Sequence, residues 1–355
     1  MQKQREYLYD NVRVVLIFLV IVGHCMELFG GSVWSGRIYR IIYSFHMPAF
    51  IFLTGYFAKF HPRKIVLGQI WPYLIFQTCY LVFQQMYVEG ADKVTLQYTT
   101  PYWILWYLFA IIGYELLLPL LDTDNRFRQV VEIVGAFFLS LLVGYDQTVD
   151  YYMSLSRFFT FWPFFLLGHY ARKNKVFFTN LPVTWRRGAL FISLVIICFG
   201  SYQINAEKLK KVILYGSKCY EVAESTAMIR AGLFVLALAW IIVLFSVISR
   251  RRIPGVTGFG QRTFYIYLLH GFVVRILQKI EFFRFGFWKN MAICVLIAMA
   301  LIVLLGNRFT ERICSCLFTG KWFEKLWKNE KESIKNHLEI VGYSNQHKRN
   351  HIKKA

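Results

Sequence analysis

The chain has 355 residues, of which 57% are hydrophobic, 19% aromatic and only 17% charged, against about 25% charged in a soluble globular protein. Its length would allow two soluble domains, but apolar runs such as 14–22 and 233–247 are too long for amphipathic soluble helices. An ordinary cytosolic enzyme is excluded, and an all-α, polytopic membrane protein is expected. The formal charge of +21 is spread over the joints between apolar segments, so it marks no nucleic-acid face.

Crossing the hydrocarbon core takes about 20 apolar residues. The sequence holds ten candidates, at about 11–29, 38–58, 69–88, 102–121, 130–146, 157–171, 188–204, 226–248, 262–282 and 287–307. An even number puts both termini on one side. Arg63, Lys64, Arg126, Arg128, Arg172, Lys173, Arg186, Arg187 and the Arg250-Arg251-Arg252 run then share that side, which makes it the cytoplasm. Arg13 breaks the entry to the first run, so no cleavable signal peptide is expected. Residues 1–320 read as one transmembrane domain. Residues 321–355 read as a basic cytoplasmic tail whose Trp322, Phe323, Leu326 and Trp327 suit an anionic lipid surface.

Ionisable side chains are costly inside a span and are read as functional candidates. In the first span Arg13 and His24 are eleven residues apart. That separation is about three turns plus roughly 20°, so both project from one face about 16 Å apart along the axis. An anionic cofactor gripped by Arg13 at the cytoplasmic mouth would have its reactive end directed toward His24. Arg13 also follows Asp10 by three residues, a spacing at which the two simply pair. Glu27, three residues after His24, is placed to partner the imidazole.

In the second span His46 lies about 12 Å from the outer end, and His24 about 8 Å, so the two imidazoles are expected at a similar depth in one cavity. Pro48 frees the carbonyl of Ser44, and Thr54-Gly55 permits close approach of a neighbouring helix. Arg157 opens the sixth span and Arg230 lies about four residues into the eighth, both toward the outer side, where they are candidates for sugar hydroxyls or an anionic glycan. His270 and Arg275 in the ninth are five residues apart and do not share a face closely.

No GxSxG elbow, HExxH pair or GxxxxGK[ST] loop occurs. Cys314-x-Cys316 is too sparse for zinc, so no metal site is expected. The residues alone leave two other classes open. One is a transporter or flippase of a lipid-linked sugar using His24, His46 and His270, although no internal repeat is found. The other is an assembly partner docking through its basic tail.

Taken in order, these segments resemble the membrane acyltransferase-3 family, in particular its fucose 4-O-acetylase-like branch of glycan O-acetyltransferases. The carriers are Asp10-Asn11-Val12-Arg13 through Gly23-His24; Phe45-His46-Met47-Pro48-Ala49-Phe50 through Thr54-Gly55-Tyr56-Phe57; Trp71-Pro72-Tyr73; Tyr102-Trp103-Ile104-Leu105-Trp106-Tyr107-Leu108 through Leu118-Pro119; Arg157-Phe158-Phe159 through Gly168; and Thr263-Phe264-Tyr265-Ile266-Tyr267-Leu268-Leu269-His270. The likeness covers about residues 7 to 310. Where family members often place basic residues just before the third-helix proline, this chain has Gly68-Gln69, which moves the basic contribution to Arg63 and Lys64. No extracytoplasmic hydrolase-like domain of the kind some members carry is expected.

The resemblance implies an O-acyltransferase that takes an acyl group, usually acetyl, from cytosolic acyl-coenzyme A to a hydroxyl of a cell-surface or lipid-linked glycan at the outer face of a bacterial plasma membrane. Arg13, Arg63 and Lys64 would then meet coenzyme A phosphates. His24, oriented by Glu27, would act as general base or as an acyl relay, and His46, Arg157 and Arg230 would hold the acceptor.

Overall fold

A computed structural model describes residues 7–149, 152–175, 182–206 and 209–318; the 321–355 tail lies outside them. Every described regular element is helical. Ten long helices coincide with the ten apolar segments. They are α1 (Tyr7–Met26), α2 (Val33–Phe57), α3 (Pro62–Val88), α4 (Trp103–Leu121), α5 (Arg126–Leu142), α6 (Leu155–Lys173), α7 (Val183–Ala206), α8 (Ala227–Val247), α9 (Thr263–Lys279) and α10 (Phe287–Leu305). A shorter amphipathic helix, α11 (Arg308–Phe318), follows.

Among the described residues six of these, α1, α3, α4, α7, α8 and α10, are long and apolar enough to cross a membrane. The other four are interrupted by charge or are short. α2 carries Arg37 and Arg40, α6 carries Arg157, Arg172 and Lys173, and α5 and α9 have 17 residues each. Of the six, α1 is the most enclosed and α7 the least. The outward faces of α5, α7 and α10 carry exposed Phe138, Phe191, Phe199, Leu296 and Leu304, an apolar coat suited to lipid tails.

α2 packs most extensively along α6, and glycines set that contact. A methyl group on Gly55 would clash with the Phe165 carbonyl, and one on Gly168 with the Phe52 carbonyl. The two backbones therefore touch, as small residues allow in lipid. Gly168→Ala is expected to cost about 3 kcal/mol, the upper end for overpacking, because the obstacle is backbone. The apparent Tm in detergent checks this, with Gly188→Ala, where nothing lies within reach of a new methyl group, as the unaffected control.

Two further features position the site. Asn11 anchors the start of α1: its Nδ2 donates to the Ser249 and Arg251 carbonyls at 2.8 and 3.0 Å, and Thr257 Oγ1 donates to its Oδ1 at 2.7 Å. In α3, Pro72 has no N–H, and the turn before it widens so that the Trp71 N–H reaches the Val66 carbonyl.

Candidate active site

α1 delivers His24 and, just past its end, Glu27 to a cavity of about 310 Å³. α2 supplies Tyr43, His46 and Met47, α4 supplies Trp103 and Trp106, α6 supplies Arg157 and Phe161, and the 209–226 connection supplies Leu214 and Tyr215. His24, Glu27, His46 and Arg157 thus come together as the sequence leads one to expect.

The hydrogen bonds distinguish the histidines. His46 Nδ1–H donates to the Ile42 carbonyl at 2.8 Å, and His270 Nδ1–H to the Ile266 carbonyl at 3.1 Å. Each bond runs to the residue one turn back in the same helix. Of His24, His46 and His270, only His24 faces a carboxylate, with Nδ1 3.6 Å from Glu27 Oε1. Tyr43 lies between them: its hydroxyl donates to Glu27 Oε1 at 2.6 Å and sits 3.3 Å from His24 Nδ1. A hydroxyl has one proton, and the shorter bond takes it, so Tyr43 Oη accepts from His24 Nδ1–H. The lone pair of His24 is then on Nε2, the tautomer a general base requires.

Glu27 is held as firmly as it holds. Its Oε1 also accepts from Tyr39 at 3.1 Å and Tyr215 at 3.4 Å, and the Tyr39 and Tyr215 hydroxyls are hydrogen-bonded to each other. Sequence reasoning missed this tyrosine cage and both tryptophans. Tyr39, Tyr43 and His46 do recur at helical spacing, one face of α2, a signal that was available. Tyr215 arrives from a distant connection and left none.

Other expected residues lie elsewhere. Arg230 is buried, but its Nη1 donates to the Ser140 carbonyl at 2.8 Å, its Nη2 to the Lys218 carbonyl at 3.4 Å, and its guanidinium lies 4.6 Å from the Tyr220 ring. It fastens a connection to the bundle and does not line the His24 cavity, so the structure does not bring it to an acceptor there. Arg63 and Lys64 are exposed at the start of α3, and neither lines that cavity.

Arg13 is also outside the cavity. Its Nη1 donates to Asp10 Oδ1 at 3.2 Å, and its guanidinium lies 4.6 Å from the Phe57 ring centroid. Arg172 lies 5.2 Å from the same ring, so two guanidinium groups flank Phe57 at this end of the bundle. Between the Phe57 level and the His46 level of α2, Thr54 and Tyr107 join hydroxyls at 2.6 Å, and Tyr107 packs against Phe50 and Tyr267. This contact stands between the level of Arg13 and that of His24. No group of three or more histidine, cysteine or acidic residues among the described residues is arranged to hold a metal.

These features fit the comparisons with known proteins. A family profile described as an acyltransferase domain matches residues 6–307. Nodulation protein NolL of Mesorhizobium japonicum is 23% identical over 314 residues, covering 78% of this chain and 79% of the relative. NolL of Sinorhizobium fredii is 22% identical over 313 residues, covering 78% and 80%. No solved structure matches. A profile match over nearly the whole chain, on a helical bundle that gathers His24 and Glu27 at one cavity, places the chain in the acyltransferase-3 family of membrane acyltransferases.

Proposed function

We propose that the protein transfers an acetyl group from cytosolic acetyl-coenzyme A to a hydroxyl of a cell-surface or lipid-linked glycan at the outer face of a bacterial plasma membrane. In this reading all ten helices cross the bilayer and both termini are cytoplasmic. The observation that carries it is the His24–Tyr43–Glu27 arrangement, which leaves one imidazole nitrogen basic and backs the other with a carboxylate. His24 Nε2 takes the proton of the acceptor hydroxyl as its oxygen attacks the thioester carbonyl. The resulting imidazolium is stabilised through Nδ1 by Tyr43 and Glu27. As the tetrahedral intermediate collapses, the carbon–sulfur bond breaks and His24 returns the proton to the departing thiolate.

Two features support the sidedness. Arg13 and Arg172 flank Phe57 at one end of the bundle, where guanidinium groups suit the donor's phosphates. Arg157 lines the cavity at the other end, in reach of a hydroxyl-rich acceptor. On this reading the donor's narrow arm passes the Thr54–Tyr107 contact to reach His24. The expected result in cells is direct: surface or lipid-linked glycans from cells carrying the gene are heavier, by mass spectrometry, by the mass of an acetyl group for each modified hydroxyl. Identical glycan masses with and without the gene would contradict the assignment.

A further inference from the structure

We propose that α9 is a clamp for the His24 ring, with His270 and Arg275 as positioning residues for the transfer step; this rests on the base role of His24 proposed above. His270 has no solvent exposure, and its ring stacks on that of His24 with centroids 5.6 Å apart and planes 25° apart. That separation is within the range of favourable offset ring pairs. Its Nδ1–H is spent on the Ile266 carbonyl, and its Nε2 has no hydrogen-bond partner among the described residues. Protonation there would bury a charge with nothing beside it. His270 is therefore a fixed plate beside the His24 ring, which is the one backed by Glu27.

The second jaw is Trp103 of α4, held in turn from α9. Trp103 meets His24 edge-on, with centroids 4.7 Å apart and planes at 63°. Its backbone is in the left-handed region at φ 32°, a conformation that persists only when surroundings impose it. Arg275 is one such restraint, with its guanidinium 4.2 Å from the Trp103 ring and its Nη1 donating to Gln278 Oε1 at 2.6 Å. His270 and Arg275 do not share a face of α9, yet they need not: one touches His24 directly and the other through Trp103.

The test uses the full-length protein purified in detergent, with labelled acetyl-coenzyme A and a glycan acceptor. His270→Ala is expected to lower kcat by about 10-fold to 100-fold, the cost of a ring misplaced by about 1 Å, and to leave the donor KM within about twofold. His270→Phe, which keeps a flat ring on His24 but no nitrogen, recovers kcat to within about fivefold of wild type. His270→Gln, which keeps a polar group but no ring, does not. Arg275→Met lowers kcat with the same unchanged KM, and Arg275→Lys, which retains the cation over Trp103, restores it.

Wild-type kcat in His270→Ala, a loss confined to KM, or rescue by Gln in place of Phe would overturn the proposal. If His270→Ala does not fold, the Phe-against-Gln comparison decides alone. A wild-type protein that consumes no acetyl-coenzyme A would instead remove the proposed function itself.

Discussion

His24→Ala is expected to lower the turnover of acyl transfer by about 10³-fold, within the range that a positioned general base contributes. The folded protein and its affinity for the donor should be preserved. The magnitude follows from the site's construction. His46 and His270 each commit Nδ1–H to a backbone carbonyl and have no carboxylate behind them, so neither replaces His24 with Glu27 at 3.6 Å. The ring is 15% exposed at the side chain, and its replacement leaves room for water but no base. Steady-state kinetics with labelled acetyl-coenzyme A, alongside donor binding measured by calorimetry, check the two halves separately. A parallel fall in donor affinity would show that His24 works in binding.

Arg13→Ala is the second large effect, and it should appear in a different constant. A charge-assisted contact to a phosphate is worth about 1.5–3 kcal/mol, or about 10-fold to 100-fold in the donor KM, with kcat within about threefold. Arg13 is 26% exposed at the side chain, and it and Arg172 both lie against the Phe57 ring, which puts two guanidinium groups at that end of the bundle. The same variant should show a weaker dependence of donor KM on ionic strength, since one of the screened charges is gone. An unchanged KM, with a loss of thermal stability, would mean that the Asp10 contact is the whole role of Arg13.

The helices were legible because hydrocarbon imposes a plain rule of length and apolarity, and each of the ten runs became a helix. Which of them crosses was less legible. α2, α5, α6 and α9 are short or carry charges such as Arg37, Arg128, Arg157 and Lys279, so length and apolarity alone do not single them out as spans. Within the site, the His24–Glu27 pair was readable from a three-residue spacing, and the common depth of His24 and His46 from rise per residue. Helical geometry says where on a helix a residue sits but not what the neighbouring helix places against it. Arg230 had the right depth, yet its guanidinium is taken by carbonyls from a chain segment 90 residues away and by another 12 away. Arg13 and His24 are on one face of α1, yet Tyr107 and Thr54 from two other helices meet between their levels. The tyrosine cage of Glu27 depends on Tyr215, 188 residues away in sequence, beyond any local pattern.

The central claim is that the His24 imidazole accepts a hydroxyl proton while a donor from the opposite face presents its acyl group. Vesicles containing the purified protein, with labelled acetyl-coenzyme A only on the face bearing the N-terminus and the glycan only on the other, test it most directly. The wild-type protein should move label to the glycan, and His24→Ala should leave it on coenzyme A. Equal labelling by the two proteins, or transfer only when donor and glycan share a face, would contradict the account.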